Sequence, residues 1–130
     1  MRGILIIISI LFFIISCEDN EKATITIKNN TSNELTNCLI YGFAFDQVYD
    51  SINFGNIKRG DKLTKIWKTD LSTVDGDIMF KYNQNAKERK ISVAYFSNGR
   101  ILDEQYLIEI DDEGIWVSTE NSRYQTIFSN

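Results

Sequence analysis

Between residues 23 and 119 the apolar side chains recur mostly at every second position, in short runs that Asn, Asp or Gly soon interrupts. A period of two sends neighbouring side chains to opposite faces of an extended chain, whereas a helix face needs a period near 3.6. The pattern therefore calls for sheets. In ATITIK, Ile25 and Ile27 share one face; in DIMFKY it is Ile78, Phe80 and Tyr82; in KISVAYF, Ile91, Val93 and Tyr95; in YLIEI, Tyr106, Ile108 and Ile110. The stretch NCLIYGFAF is apolar on both faces, as expected of a central strand covered on two sides. Eight strands are predicted, near residues 23–28, 37–45, 51–57, 63–68, 77–82, 90–96, 104–110 and 115–119. Their regular spacing is that of an all-β antiparallel sandwich of about seven or eight strands, or a barrel.

There is no proline in the chain. Its turns have to be made by residues that tolerate a positive φ, and NNTSN, KRGD, NQNAKE, SNGR and DDEG supply Asn, Asp and Gly for that purpose. The clearest hairpin is YLIEIDDEGIWV, where Gly114 is predicted to take the left-handed position. Arg59-Gly60-Asp61 matches the integrin-recognition tripeptide by letters, but it also reads as a tight turn between two strands with Gly60 at the unusual dihedral, and that reading is preferred.

The first seventeen residues follow other rules. The apolar run Ile4–Ile15, broken only by Ser9, is shorter than the roughly 20 residues that cross a bilayer as a helix. With Arg2 before it and an abrupt polar boundary after it, the run has the layout of a secretory signal peptide. At the boundary, Ile14, Ile15, Ser16 and Cys17 resemble a bacterial lipobox. The resemblance implies cleavage before Cys17, a thioether-linked diacylglycerol on its sulfur and a further acyl chain, palmitate or similar, on its amine. Two or more chains suffice for stable anchoring where one does not. The expected organisation is a signal peptide at 1–16, an acylated Cys17 with a short charged tether at 17–22, and a single domain at 23–130. Glu18-Asp19 looks like the acidic start that accompanies export to the cell surface in lipoproteins of Bacteroidota type, so the expected location is the outer membrane of the cell envelope, with the surface side favoured.

Composition closes several functional classes. Eighteen acidic side chains against 14 basic ones give a net charge of −4, with no basic run, so nucleic acid is not an expected partner. With no histidine, Ser-His and Cys-His nucleophile pairs and the usual His-containing zinc sites are closed. Asp103, Glu104, Glu109, Asp111, Asp112 and Glu113 leave a carboxylate pair formally open, but they lie in or beside a predicted hairpin, where acidic residues face water. DDEG lacks the alternating acidic spacing of a calcium loop, and no metal is predicted. Cys38, alone once Cys17 is acylated, sits in an apolar strand and reads as a small buried hydrophobe. No catalytic residue is assigned, the chain is read as a non-enzyme, and no cofactor is expected beyond the lipid on Cys17.

Taken together, the lipobox, the strand TITIKNNTSNEL and the turn FGNIKRGDK leading into another strand resemble the small lipoproteins with an immunoglobulin-like β-sandwich found in Bacteroidota-type envelopes. The resemblance implies fold and location. Asp50-Ser51-Ile52 is similar to the O-glycan acceptor pattern of the same group, which marks Ser51 as a candidate modification site; the same residues also fit a strand start. Trp67 and Trp116 stand in alternating segments, LTKIWK and GIWVST, which place each either on an outer face or at an end of the core. On an outer face they would be the binding residues, because exposed Trp beside Tyr is how many sugar- and protein-binding faces are built. The favoured function is a lipid-anchored, non-enzymatic binding or assembly module for another envelope component, protein or glycan. The alternative is a periplasmic inhibitor or immunity-like lipoprotein, marked by an acidic patch.

Overall fold

A computed structural model describes residues 21–127. Residues 1–16, expected to be a signal peptide, and Cys17 lie outside the described residues. Ten strands follow one another: β1 (Lys22–Asn29), β2 (Leu35–Ala44), β3 (Gln47–Ile57), β4 (Lys62–Lys68), β5 (Gly76–Gln84), β6 (Lys87–Ser97), β7 (Arg100–Ile101), β8 (Gln105–Ile110), β9 (Gly114–Thr119) and β10 (Arg123–Ile127). All eight predicted strands are present. The short β7 and the edge strand β10, formed by the tail whose apolar residues show no period, are additional.

The strands form two five-stranded sheets, ordered β10-β9-β8-β1-β4 and β3-β2-β5-β6-β7. Every pairing is antiparallel except β1 with β8, which run parallel from Thr24 beside Gln105 to Asn29 beside Ile110. The all-β sandwich is the expected architecture. Its strand order places the first strand beside the fourth and eighth, whereas constant-type immunoglobulin domains pair the first with the second.

The alternation seen in the sequence becomes the core. From one sheet Ala23, Ile25, Ile27, Trp67, Tyr106, Ile108, Ile110, Ile115 and Val117 point inward; from the other come Leu35, Cys38, Ile40, Phe54, Ile57, Ile78, Phe80, Tyr82, Val93 and Phe96. Phe80 and Tyr82 stack with ring centroids 4.8 Å apart. β2 is indeed central in its sheet. Its second face is covered only in part: Tyr41 is buried beside Ser51 and Met79, while Leu39 and Phe43 are half-buried.

The turns rely on positive φ, as the lack of proline requires, but not only at the expected residue types. Asp46, Asn85 and Asn98 are left-handed, and so are Gly60 in the RGD turn and Gly99, yet Phe45, Ser72 and Ala86 are as well; Asn37 is left-handed inside β2, where the pairing shifts register. Gly114 departs from expectation. It has no positive φ and opens β9. The β8–β9 turn is closed by Asp111, whose Oδ1 accepts the N–H groups of Glu113 at 2.9 Å and Gly114 at 2.8 Å. A side chain supplies what a left-handed glycine was expected to supply.

Candidate functional site

The side chains left on the outer face of the β1 sheet follow from strand parity. β1 turns out Thr24, Thr26 and Lys28; β4 offers Lys62, Thr64 and Ile66; β8 offers Gln105, Leu107 and Glu109; β9 offers Trp116 and Ser118; and β10 begins with Arg123. Register aligns them in rows across the sheet: Ile66, Thr24 and Gln105; then Thr64, Thr26, Leu107, Ser118 and Arg123; then Lys62, Lys28, Glu109 and Trp116.

This face carries an open groove of about 730 Å³, running from Gly60 and Lys62 at one end to Gln105 and Glu120 at the other. The parallel β1–β8 pair forms its floor. Thr26 and Thr64 share a hydroxyl hydrogen bond of 2.9 Å, and Ser118 and Thr119 line the far wall. Along one side runs an ionic chain: Lys28 Nζ meets Glu109 at 3.2 Å, Arg123 reaches the other oxygen of Glu109 at 3.9 Å, and the Arg123 guanidinium lies 4.9 Å over the Trp116 ring. Lys62 has no ion-pair partner among the described residues, so it gives the Gly60 end a positive charge. At the other end Glu120 accepts the N–H groups of Glu104 at 2.9 Å and Gln105 at 3.2 Å. These bonds, the Glu104 one foremost, hold its carboxyl below the usual range.

The two tryptophans part company. Trp116 is half-buried on the groove-bearing face, in the same row as Glu109. Trp67 is only 3% exposed and belongs to the core. Its indole N–H donates to Asp50 Oδ2 at 3.1 Å, and burial leaves the ring no face for a surface contact. Ser51 is exposed on the edge strand β3. Its neighbour Asp50 also accepts the N–H groups of Ser51 and Asp70. Cys38 is buried, and burial pushes its thiol up to about 12, the behaviour of an inert core thiol.

Four of the six acidic residues in or beside the β8–β9 hairpin are individually committed. Asp111 closes the turn, Asp112 accepts the N–H and hydroxyl of Ser32 at 3.3 Å, Glu109 holds Lys28, and Asp103 accepts an amide N–H of Asn121 at 2.6 Å. They do not converge on a common space.

Sequence reasoning did not find Thr24, Thr26, Thr64, Lys62, Gln105 or Ser118. Their outward parity was legible in each strand. Their assembly depends on β1 pairing with β8, about eighty residues later in the chain, and no local signal encodes that. No protein-family model and no curated protein sequence matches this chain.

Proposed function

We propose that the protein is a lipid-anchored, non-enzymatic binding module of the cell envelope, and that its groove holds an extended, hydroxyl-rich ligand: a segment of envelope glycan carrying an acidic group. The observation that carries this reading is the groove on the outer face of the β1 sheet. Hydroxyls from Thr24, Thr26 and Ser118, together with the Gln105 amide, supply alternating donors and acceptors of the kind that sugar hydroxyls match. Trp116 stands at the margin, where a sugar ring would compete with the exposed Arg123 for its face. Lys62 sits where a carboxylate or phosphate substituent would lie. The anchor rests on the Ile14-Ile15-Ser16-Cys17 lipobox, and the proposed address is the outer membrane.

Titration of the labelled protein with acidic and neutral oligosaccharides prepared from its own envelope, followed by amide NMR, tests the reading. Shifts confined to β1, β8 and β9, weakened about tenfold by Lys62→Gln for the acidic ligand and by Trp116→Ala for both, are the expected result. Shifts elsewhere, or none, would remove the glycan assignment. The anchor is tested apart from it: Cys17→Ala should move the protein from the membrane fraction to the soluble one with its fold intact.

A further inference from the structure

The two ends of the sandwich differ in chemistry. At one end lie the turns at residues 30–34, 58–61, 85–86 and 111–113, which carry only polar or charged side chains, Gly60 and Ala86. At the other end lie all six exposed large hydrophobic residues among the described residues: Phe45, Val48, Ile66, Tyr95, Leu102 and Tyr124. They ring that end. Ile66 and Tyr124 are on the two edge strands of one sheet, Val48 is on one edge strand of the other, and Leu102 directly follows its opposite edge. Phe45 projects from the tip of the β2–β3 hairpin and is 77% exposed.

Phe45 is the most telling of the six. Its φ is +48°, a left-handed position that costs an L-residue with a bulky side chain roughly 1–2 kcal/mol and that hairpins normally fill with Asn, Asp or Gly. The fold gains little from an exposed ring placed there. A strained, solvent-facing aromatic at a loop tip is explained if something outside the domain receives it.

The chain itself indicates what does. Glu21 is fixed to this same end, its carbonyl accepting the Thr69 N–H at 2.9 Å and its carboxylate lying 3.7 Å from Arg100. From Glu21 back to Cys17 there are four Cα steps, a reach of at most about 14 Å. On the lipid-anchor reading, on which this inference rests, that end has to face the bilayer that holds the acyl chains.

We infer that the Phe45 end of the sandwich seats on the lipid surface, with Phe45 and its neighbours entering the boundary between headgroups and acyl chains. A ring touching the corners of both sheets fits a plane better than it fits one partner's face. An amphipathic aromatic such as Tyr95 is at home at that depth, whereas the Tyr124 hydroxyl is held by the Val93 carbonyl and only its ring is presented. Acidic Asp46, Asp70, Asp103 and Glu104 outnumber Lys22, Lys68 and Arg100 at the same end, so the attraction is apolar and not driven by anionic headgroups. Seating would fix the long axis of the strands upright and turn the groove sideways, with its Gly60–Lys62 end away from the bilayer and its Gln105–Glu120 end close to the lipid surface.

The test uses the full lipidated protein in phosphatidylcholine–phosphatidylethanolamine vesicles, with an environment-sensitive fluorophore on Gln47→Cys or, at the opposite end, Lys87→Cys, and nitroxide-labelled lipid as quencher. The buried thiol of Cys38 stays unlabelled. The expected result is quenching and a blue shift at 47 and neither at 87. Phe45→Asn should lower the quenching at 47 several-fold while raising the melting temperature, because Asn accepts the left-handed backbone; a structural role for the ring would move both in the same direction. Leu102→Ser should weaken quenching without touching that turn. Vesicle-bound protein with no quenching at either position overturns the seating while the anchor stands. Quenching at 87 alone reverses the orientation and overturns it too. Protein that fails to float with the vesicles overturns the anchor and the seating with it.

Discussion

Trp67 on β4 and Asp50 on β3 join the two sheets: the indole N–H donates to Asp50 Oδ2 at 3.1 Å, from a ring that is 3% exposed. Asp50 also accepts the Asp70 N–H at 3.2 Å, so one carboxylate fixes both the edge of the sandwich and the start of the β4–β5 loop. Asp50→Ala would strand a buried N–H, with an expected cost of about 1–3 kcal/mol. Urea denaturation of Asp50→Ala, Trp67→Phe and the double variant should return a coupling of about 1 kcal/mol. Additive losses would mean that the hydrogen bond contributes nothing.

Alkali should unfold the domain through buried acids: burial raises the Tyr106 hydroxyl as well as Cys38 and Tyr82. Burial raises Cys38 from 9.0 to about 12 and Tyr82 from 10.0 to about 12. For a group whose pKa is raised on folding, the stability it contributes is complete below the unfolded value and lost as pH climbs to the folded one. The window is therefore pH 9 to 12 for Cys38 and pH 10 to 12 for Tyr82, with a slope of about 1.4 kcal/mol per pH unit for each group. Thermal melts across that range should show the decline. Cys38→Ala, which leaves a small cavity, should lower stability at neutral pH and flatten the first part of it.

Tyr82 adds a second expectation. Its hydroxyl is buried and has no hydrogen-bond partner among the described residues, so the polar atom carries a desolvation cost without return. Tyr82→Phe keeps the stack on Phe80 and should be neutral or stabilising by about 1 kcal/mol, measured by denaturation at neutral pH. A clear loss of stability would reveal a partner for the hydroxyl.

The buried amide of Asn29 organises the polar end. Its Nδ2 donates to the carbonyls of Asn33 at 2.7 Å and Ile57 at 2.9 Å, and its Oδ1 accepts the N–H of Thr31 at 3.0 Å and its hydroxyl at 2.7 Å. Every hydrogen-bonding site on a side chain with no exposure is thus used. Asn29→Ala should cost about 3 kcal/mol or more and raise amide exchange through residues 30–34, since several groups lose partners at once. Unchanged exchange there would show that the loop is held by other means.

Two hairpins give opposite signs for one kind of substitution. Gly99 has φ +73°, and a β-carbon placed on it would lie 1.7 Å from the Ser72 carbonyl oxygen. Gly99→Ala should therefore destabilise by more than about 2 kcal/mol. Ala86 occupies the corresponding place in the β5–β6 turn at φ +60°, and Ala86→Gly should stabilise by up to about 1 kcal/mol. Melting temperatures of the pair decide it.

The sequence by itself determined the class of fold and the inward set. Ile25, Ile27, Ile78, Phe80, Tyr82, Val93, Ile108 and Ile110 are buried as their alternation required, because strand parity is a local property that each segment carries alone; Tyr95, expected on the face of Val93, is 46% exposed instead, since the β5–β6 pairing shifts register between Ile78 and Met79. Turn positions were equally local where Asn98-Gly99 and Arg59-Gly60-Asp61 mark them. Closure of the β8–β9 turn by Asp111 was not, since an acidic side chain and a glycine can close a turn equally well. Tertiary structure alone decided which tryptophan went inside: alternating surroundings describe both Trp67 and Trp116, and what separates them is that the first faces the opposite sheet, where Asp50 accepts its N–H, while the second faces outward beneath Arg123 of its own sheet. It also decided the groove and the apolar end. Both are made by strands distant in sequence whose register is set by the packing of the whole core, and single segments carry no record of that.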